Sequence, residues 1–307
     1  MTNNRAILIA GPTASGKSQL AVDLATKIDG VIINADSMQV YKDLSILTAR
    51  PQLADLAMAP HRLYGFVSGE DVYSVGRFVE DAAAAITECN ESGQIPIITG
   101  GTGLYFKALL DGLSPIPRIP GAVRQHWRAE ANRVGSQNLY NILLKRDPEM
   151  AARLQPSDIQ RLVRALEVLD ATGQSLAEWQ RIPGIPVIPT SSAVRMVIGA
   201  DRAVLYRNCE IRLERMIANG ALDEVAQLMA RKLDPAVPIM RALGVQPFMA
   251  HLQNRINREE ALAATKTETR HYIKRQLTWF RTNMTSWKWL NEQEIETLKE
   301  NILPIVK

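Results

Sequence analysis

Only two cysteines, Cys89 and Cys209, occur among the 307 residues. That excludes a disulfide framework and a cysteine-built zinc site, and it reads both thiols as buried apolar filler. No apolar run approaches the roughly 20 residues that a bilayer span requires. Met1 to Arg5 is polar, and the run Ala6–Ala10 behind it is too short for the apolar region of a secretory leader. The expectation is a cytoplasmic protein without membrane attachment. Low-complexity tracts and internal repeats are lacking too.

Acidic residues are missing from one stretch. From Thr269 to Asn291 the chain carries Arg270, Lys274, Arg275, Arg281 and Lys288 and no Asp or Glu. The formal charge of +4 says little by itself. Its distribution says more, because Arg118–Asp170 is also basic, with nine Lys or Arg against six acids. A polyanion is expected to lie along these two regions.

What is present is a globular composition, 46% hydrophobic and 22% charged, long enough for a core with an inserted domain. Short runs of apolar residues alternate with helical periodicity over the first hundred residues, as in stacked βα units. Strands are read at Ala6–Ala10, Val31–Asn34, Ile95–Thr99 and Val194–Gly199, each apolar throughout, as strands covered on both faces must be. Helices are read at Lys17–Lys27 and over residues 75–91. Two Pro-rich stretches, Leu113–Pro120 and Ile182–Pro189, interrupt the rhythm. They bracket a basic helical segment, so the expected organisation is a core domain of residues 1–115 and 192–307 with a helical insertion at 116–191. The chain beyond Arg202 reads as mostly helical.

Gly11-Pro12-Thr13-Ala14-Ser15-Gly16-Lys17-Ser18 fits G-x-x-x-x-G-K-[ST], with a strand before it and an amphipathic helix after it. Backbone N–H groups of such a loop form an anion nest, and the following helix contributes its positive N-terminal dipole. Lys17 is expected to reach phosphate oxygens and Ser18 to offer a hydroxyl to Mg²⁺. The loop implies diphosphate or triphosphate binding, without telling whether the phosphate is transferred or leaves. A triphosphatase has an apolar strand ending in Asp. Here Val31-Ile-Ile-Asn-Ala-Asp36 ends in an acid, whereas Ile95-Pro-Ile-Ile-Thr-Gly-Gly ends in glycines and Thr102. By residue type alone, Asp36 reads equally as a general base, a Mg²⁺ ligand or a helix N-cap.

Five blocks occur in order: Gly11–Ser18, Asp36-Ser37-Met38-Gln39-Val40-Tyr41, Gly100-Gly-Thr-Gly-Leu-Tyr105, Gln160-Arg161-Leu162-Val163-Arg164 and Lys274-Arg275-Gln276-Leu-Thr-Trp-Phe-Arg281. Together they resemble the bacterial tRNA dimethylallyltransferases, also called tRNA isopentenyltransferases, over nearly the whole chain. The resemblance implies an α/β fold, a P-loop NTPase-like parallel sheet flanked by helices, with a helical tRNA-binding insertion. It also implies transfer of dimethylallyl from dimethylallyl diphosphate to N6 of adenosine 37 in the anticodon stem-loop, with Mg²⁺; a monomer is the separate expectation for the chain itself.

Residue by residue, the resemblance makes Asp36 the general base and gives catalytic places to Thr102 and Arg212. Arg215, one helical turn on, is the alternative to Arg212 for the diphosphate. tRNA contacts are implied for Asp36, Ser37, Met38, Gln39, Thr102, Arg124, Gln160, Arg161, Leu162, Val163, Arg164, Lys274, Arg275, Gln276 and Arg281. Trp279 and Phe280 read as core rather than stacking platforms, and Arg164 and Glu167 could simply pair on a solvated face. One departure is Val245, in Arg241–Gln246, where many relatives carry an aromatic ring. No zinc finger follows, which points to the bacterial type. The competing expectations are a P-loop kinase or triphosphatase, and a non-catalytic RNA-binding protein regulated by nucleotide.

Overall fold

The computed structural model describes residues 5–302. The chain runs β1 (Ala6–Ala10), α1 (Lys17–Ile28), β2 (Gly30–Asn34), α2 (Leu53–Met58), β3 (His61–Arg62), α3 (Val75–Glu91), β4 (Ile95–Gly100) and α4 (Gly103–Asp111). Then come α5 (Gly121–Arg146), α6 (Pro148–Ala151), α7 (Ile159–Thr172) and α8 (Leu176–Trp179). The chain continues through β5 (Ala193–Ile198), α9 (Arg202–Ala218), α10 (Ala221–Ala230), α11 (Val245–Leu252), α12 (Arg258–Asn283), β6 (Lys288–Leu290) and α13 (Glu292–Glu300).

The strands form one sheet in the order β3-β2-β4-β1-β5-β6, every neighbour parallel. Alternate side chains enter two cores. Ala6, Leu8, Val31, Ile33 and Ile98 pack with Phe78, Phe106 and Phe248 on one face. Ile7, Ile9, Ile32 and Ile97 pack with Leu20, Leu24 and Ile28 of α1 on the other. This double burial is why the inner strands carry no polar alternation. Edge strands β3 and β6 span two and three residues, too short to leave a periodicity, and β6 interrupts the region expected to be helical.

Two compact units divide at Leu110/Asp111 and Pro186/Val187. The ends of the outer range expected from sequence, residues 1–4 and 303–307, lie outside the described residues. The inserted unit has its own core, with Trp127, Leu139, Leu143, Leu162 and Leu166 buried together. Gly135 (φ 76°, ψ 170°) breaks α5 into two helical segments. Among the described residues no helix is long and apolar enough to cross a membrane. Cys89 and Cys209 are both buried, as apolar filler would be.

Candidate active site

Three chain segments meet at the C-terminal end of the sheet, where α/β proteins bind ligands. The first is the loop between β1 and α1. Gly11 N–H donates to the Gly100 carbonyl at 3.3 Å, tying the loop to β4. Ala14 (φ 61°) and Gly16 (φ 84°) both adopt left-handed conformations, which turn successive N–H groups inward. Lys17 Nζ folds back onto the Pro12 carbonyl at 3.2 Å. Burial lowers the Lys17 pKa to about 8; the Asp36 carboxylate raises it, and the Arg212 guanidinium lowers it further.

Arg212, on α9, donates through Nη2 to Thr13 Oγ1. Arg215 is exposed, whereas Arg212 reaches the loop. Among the described residues, Ser15 Oγ and Thr99 Oγ1 are buried without a hydrogen-bond partner. Unpaired buried hydroxyls are costly, and here they border the loop and Ser18.

The second segment follows β2. Buried Asn34 accepts the Asp36 N–H at 2.8 Å and donates to the carbonyls of Asp36 and Leu63, both at 3.0 Å. Asp36 Oδ1 accepts the Met38 N–H at 2.9 Å, closing an Asx turn. No helix starts there, so the N-cap alternative for Asp36 falls. Gln39 Nε2 donates to the carbonyls of Thr48 and Ala49 at 2.9 and 3.0 Å.

The third segment joins β4 to α4. Thr102 Oγ1 accepts the Ser37 N–H at 3.0 Å and donates to Ser37 Oγ at 3.3 Å, while Thr102 N–H donates to the Ala35 carbonyl. The Thr102 hydroxyl therefore clamps the Asp36 turn; its carbonyl, not its side chain, takes the Tyr105 N–H. Glycine is obligatory here for space. A Cβ on Gly100 would lie 2.1 Å from the Ala35 carbonyl oxygen, and one on Gly103 would lie 2.1 Å from the Trp279 ring.

Helix α12 closes over this turn. Gln276, 5% exposed, accepts the Thr13 N–H at 2.9 Å and donates to the Gly101 carbonyl at 2.9 Å. Here the side chain lies inside, joining the phosphate loop to the exit of β4. Tyr272 lies on the same helix within the field of Asp36, and burial, first, and that carboxylate push its hydroxyl pKa upward. Lys274, Arg275 and Arg281 are exposed. His271, Lys274, Arg275, Thr278 and Trp279 line a shallow groove of about 540 Å³. The adjacent aromatics thus divide: Phe280 is fully buried core, whereas Trp279 packs on Gly103 and also lines the groove.

In the inserted unit, Gln160, Arg161 and Arg124 are exposed and Arg164 is half-buried. Leu162 is fully buried in that unit's core. Val163 also packs against this core. Arg161 pairs with Asp158 at 3.3 Å and Arg164 with Glu167 at 3.9 Å. Burial raises the Glu167 pKa while Arg164, Arg128 and Arg124 oppose it, so the carboxylate sits within a basic cluster.

The phosphate-binding loop, with Lys17 in the field of Asp36, is a geometry that P-loop kinases and triphosphatases share, and sequence similarity decides among them. The family described as IPP transferase matches residues 39–283, and that described as Isopentenyl transferase matches residues 4–68. The chain belongs to the IPP transferase family. It is 48% identical over 299 residues to a tRNA dimethylallyltransferase of Rhodopseudomonas palustris, covering 97% of this chain and 93% of that one. It is 50% identical over 291 residues to another from a Bradyrhizobium species, covering 95% of each. The full-length tRNA isopentenylpyrophosphate transferase of Bacillus halodurans superposes with a TM-score of 0.70 at 32% identity, over 99% and 97% of the two chains. A eukaryotic dimethylallyltransferase acting on tRNA gives a TM-score of 0.81 at 28% identity, over 96% of this chain and 76% of that one. Within this IPP transferase, Val245, the departure from the aromatic ring expected of many relatives, is fully buried at the start of α11.

Proposed function

We propose that this chain transfers the dimethylallyl group of dimethylallyl diphosphate to N6 of adenosine 37 in tRNA, giving N6-(dimethylallyl)adenosine and diphosphate. The observation carrying this reading is the pairing of a cationic cradle (Lys17 and Arg212 at the phosphate loop) with Asp36, which acts electrostatically on both. In the reaction a bond forms between N6 and the allylic carbon while the carbon–oxygen bond to diphosphate breaks, its electron pair leaving with the diphosphate. The nest, Lys17 and Arg212 stabilise that developing charge. Asp36 takes the N6 proton on the oxygen not engaged by Met38, and such a base contributes about 10²–10⁴ in rate. Thr102 and Ser37 hold the turn that aims it.

Among the described residues, no three His, Cys, Asp or Glu gather as a metal site. Hydroxyl oxygens are what the loop offers: Ser18 would hold Mg²⁺ beside the partnerless Thr99 hydroxyl, with substrate oxygens completing the shell, the few-ligand mode Mg²⁺ favours. Bound there, Mg²⁺ adds charge neutralisation of the leaving diphosphate. In the core unit, Lys274, Arg275, Arg281 and the groove beside Trp279 are the candidates for tRNA contact; in the insertion, the candidates are Arg124, Gln160, Arg161 and Arg164. A monomer acting in the cytoplasm fits this reading.

The test is incubation with unmodified tRNA, Mg²⁺ and dimethylallyl diphosphate, followed by nucleoside mass spectrometry. N6-(dimethylallyl)adenosine at position 37 is expected. ATP turnover with unchanged tRNA would instead make the chain a P-loop kinase or triphosphatase.

A further inference from the structure

We propose that Glu224, on α10, is a positioning residue that sets the Asp36–Gln39 turn from a distance by holding the loop of residues 44–50. This rests on the transferase reading above. Glu224 is 9% exposed, and its carboxylate collects four hydrogen bonds from that loop. Oε1 accepts from Ser45 Oγ at 3.1 Å and from the backbone N–H groups of Ser45 and Ile46, the latter at 2.9 Å. Oε2 accepts the Leu47 N–H at 2.9 Å. Three consecutive backbone donors converging on one carboxylate form a nest with an internal anion, an arrangement far stronger than neutral pairing.

The loop so gripped serves Gln39. Beyond Leu47 the chain turns back, with Ala49 at φ 54° donating to Ile46 and Arg50 N–H donating to Ser45. This presents the carbonyls of Thr48 and Ala49 side by side, and Gln39 Nε2 donates to both. Gln39 is in turn the fourth residue of the block that begins with Asp36. Arg50 adds a second tie, donating to the Tyr41 carbonyl at 3.2 Å. Glu224 contacts no residue of the phosphate loop through any of these bonds. Its influence therefore runs through the loop to the base turn and leaves diphosphate binding alone.

Glutamine at 224 keeps the shape but replaces one acceptor oxygen with an NH₂ that faces backbone donors. Glu224→Gln is expected to lower kcat about tenfold or more through misplacement of the base turn. KM for dimethylallyl diphosphate should stay within about twofold, while the thermal midpoint falls because buried N–H donors lose an acceptor. Gln39→Met removes the amide donors at the other end of the same path. The double variant should be no slower than the slower single variant, because both changes cut one connection.

Parental activity, measured first, tests the transferase reading separately; an inactive parent sinks that reading, not a difference between variants. Given an active parent, an unchanged kcat in Glu224→Gln overturns the positioning role. So does a fall in kcat accompanied by an equal rise in the diphosphate KM, which marks general damage to the site. Effects that multiply in the double variant also overturn it, since Glu224 would then act by another route.

Discussion

Gln276 Oε1 accepts the Thr13 backbone N–H at 2.9 Å, across 263 positions of sequence. The other half of the same amide holds the Gly101 carbonyl, so one side chain fixes the phosphate loop against the strand exit that carries Thr102. Replacing Gln276 with Ala strands a donor and an acceptor inside the site. The expected loss is about 1–3 kcal/mol of unfolding free energy together with a higher KM for the diphosphate. Denaturant titration checks the first part and steady-state kinetics the second; unchanged values in both would remove Gln276 from this role.

Asp36 uses one carboxylate oxygen to hold its own turn through Met38. Asp36→Asn retains an oxygen for that bond and loses the proton acceptor. A fall in kcat of about 10²–10⁴ is expected, with tRNA affinity nearly kept. Binding measured by filter retention separates the two; affinity falling in step with rate would make Asp36 a binding group rather than the base.

The half-buried Lys17 ammonium, with its pKa lowered to about 8, ties diphosphate capture to pH in the free enzyme. Below that value Lys17 is charged and attracts the anion; as pH rises through it, the proton leaves and attraction is lost. kcat/KM for dimethylallyl diphosphate should therefore fall above pH about 8 rather than near the ordinary lysine value of about 10.4. A profile flat to pH 10 would contradict this.

Four strands, the phosphate loop and the basic segments were legible because each is contiguous in sequence. Apolar runs ending in Gly or Asp mark strand exits, and the P-loop spacing is local. Strands β3 and β6 were not legible, since edge strands of two or three residues carry no period. The burial of Gln276 and Leu162 was not legible, for a common reason. Block membership identified them, but the side of the helix each faces is set by packing against residues far away in sequence. Asn34 left a readable sign that was passed over: a polar residue closing an otherwise apolar strand, here fully buried to hold Asp36 and Leu63.

Exposed Lys274 and Arg275 flank the groove on α12. Replacing both with Ala should weaken tRNA binding and flatten its dependence on salt by roughly one unit of slope per lost phosphate contact. Thermal stability should hardly change, because neither side chain is buried. Binding titrations across salt concentrations decide it, an unaltered slope placing both residues outside the interface.

The central claim is that diphosphate leaves and the prenyl group is transferred. It is tested most directly with dimethylallyl diphosphate labelled with carbon in the prenyl chain and phosphorus in the diphosphate. The account predicts carbon label in tRNA and all phosphorus label in free diphosphate, released mole for mole and only when tRNA is present. Phosphorus label entering the tRNA, or diphosphate released without it, would contradict the assignment.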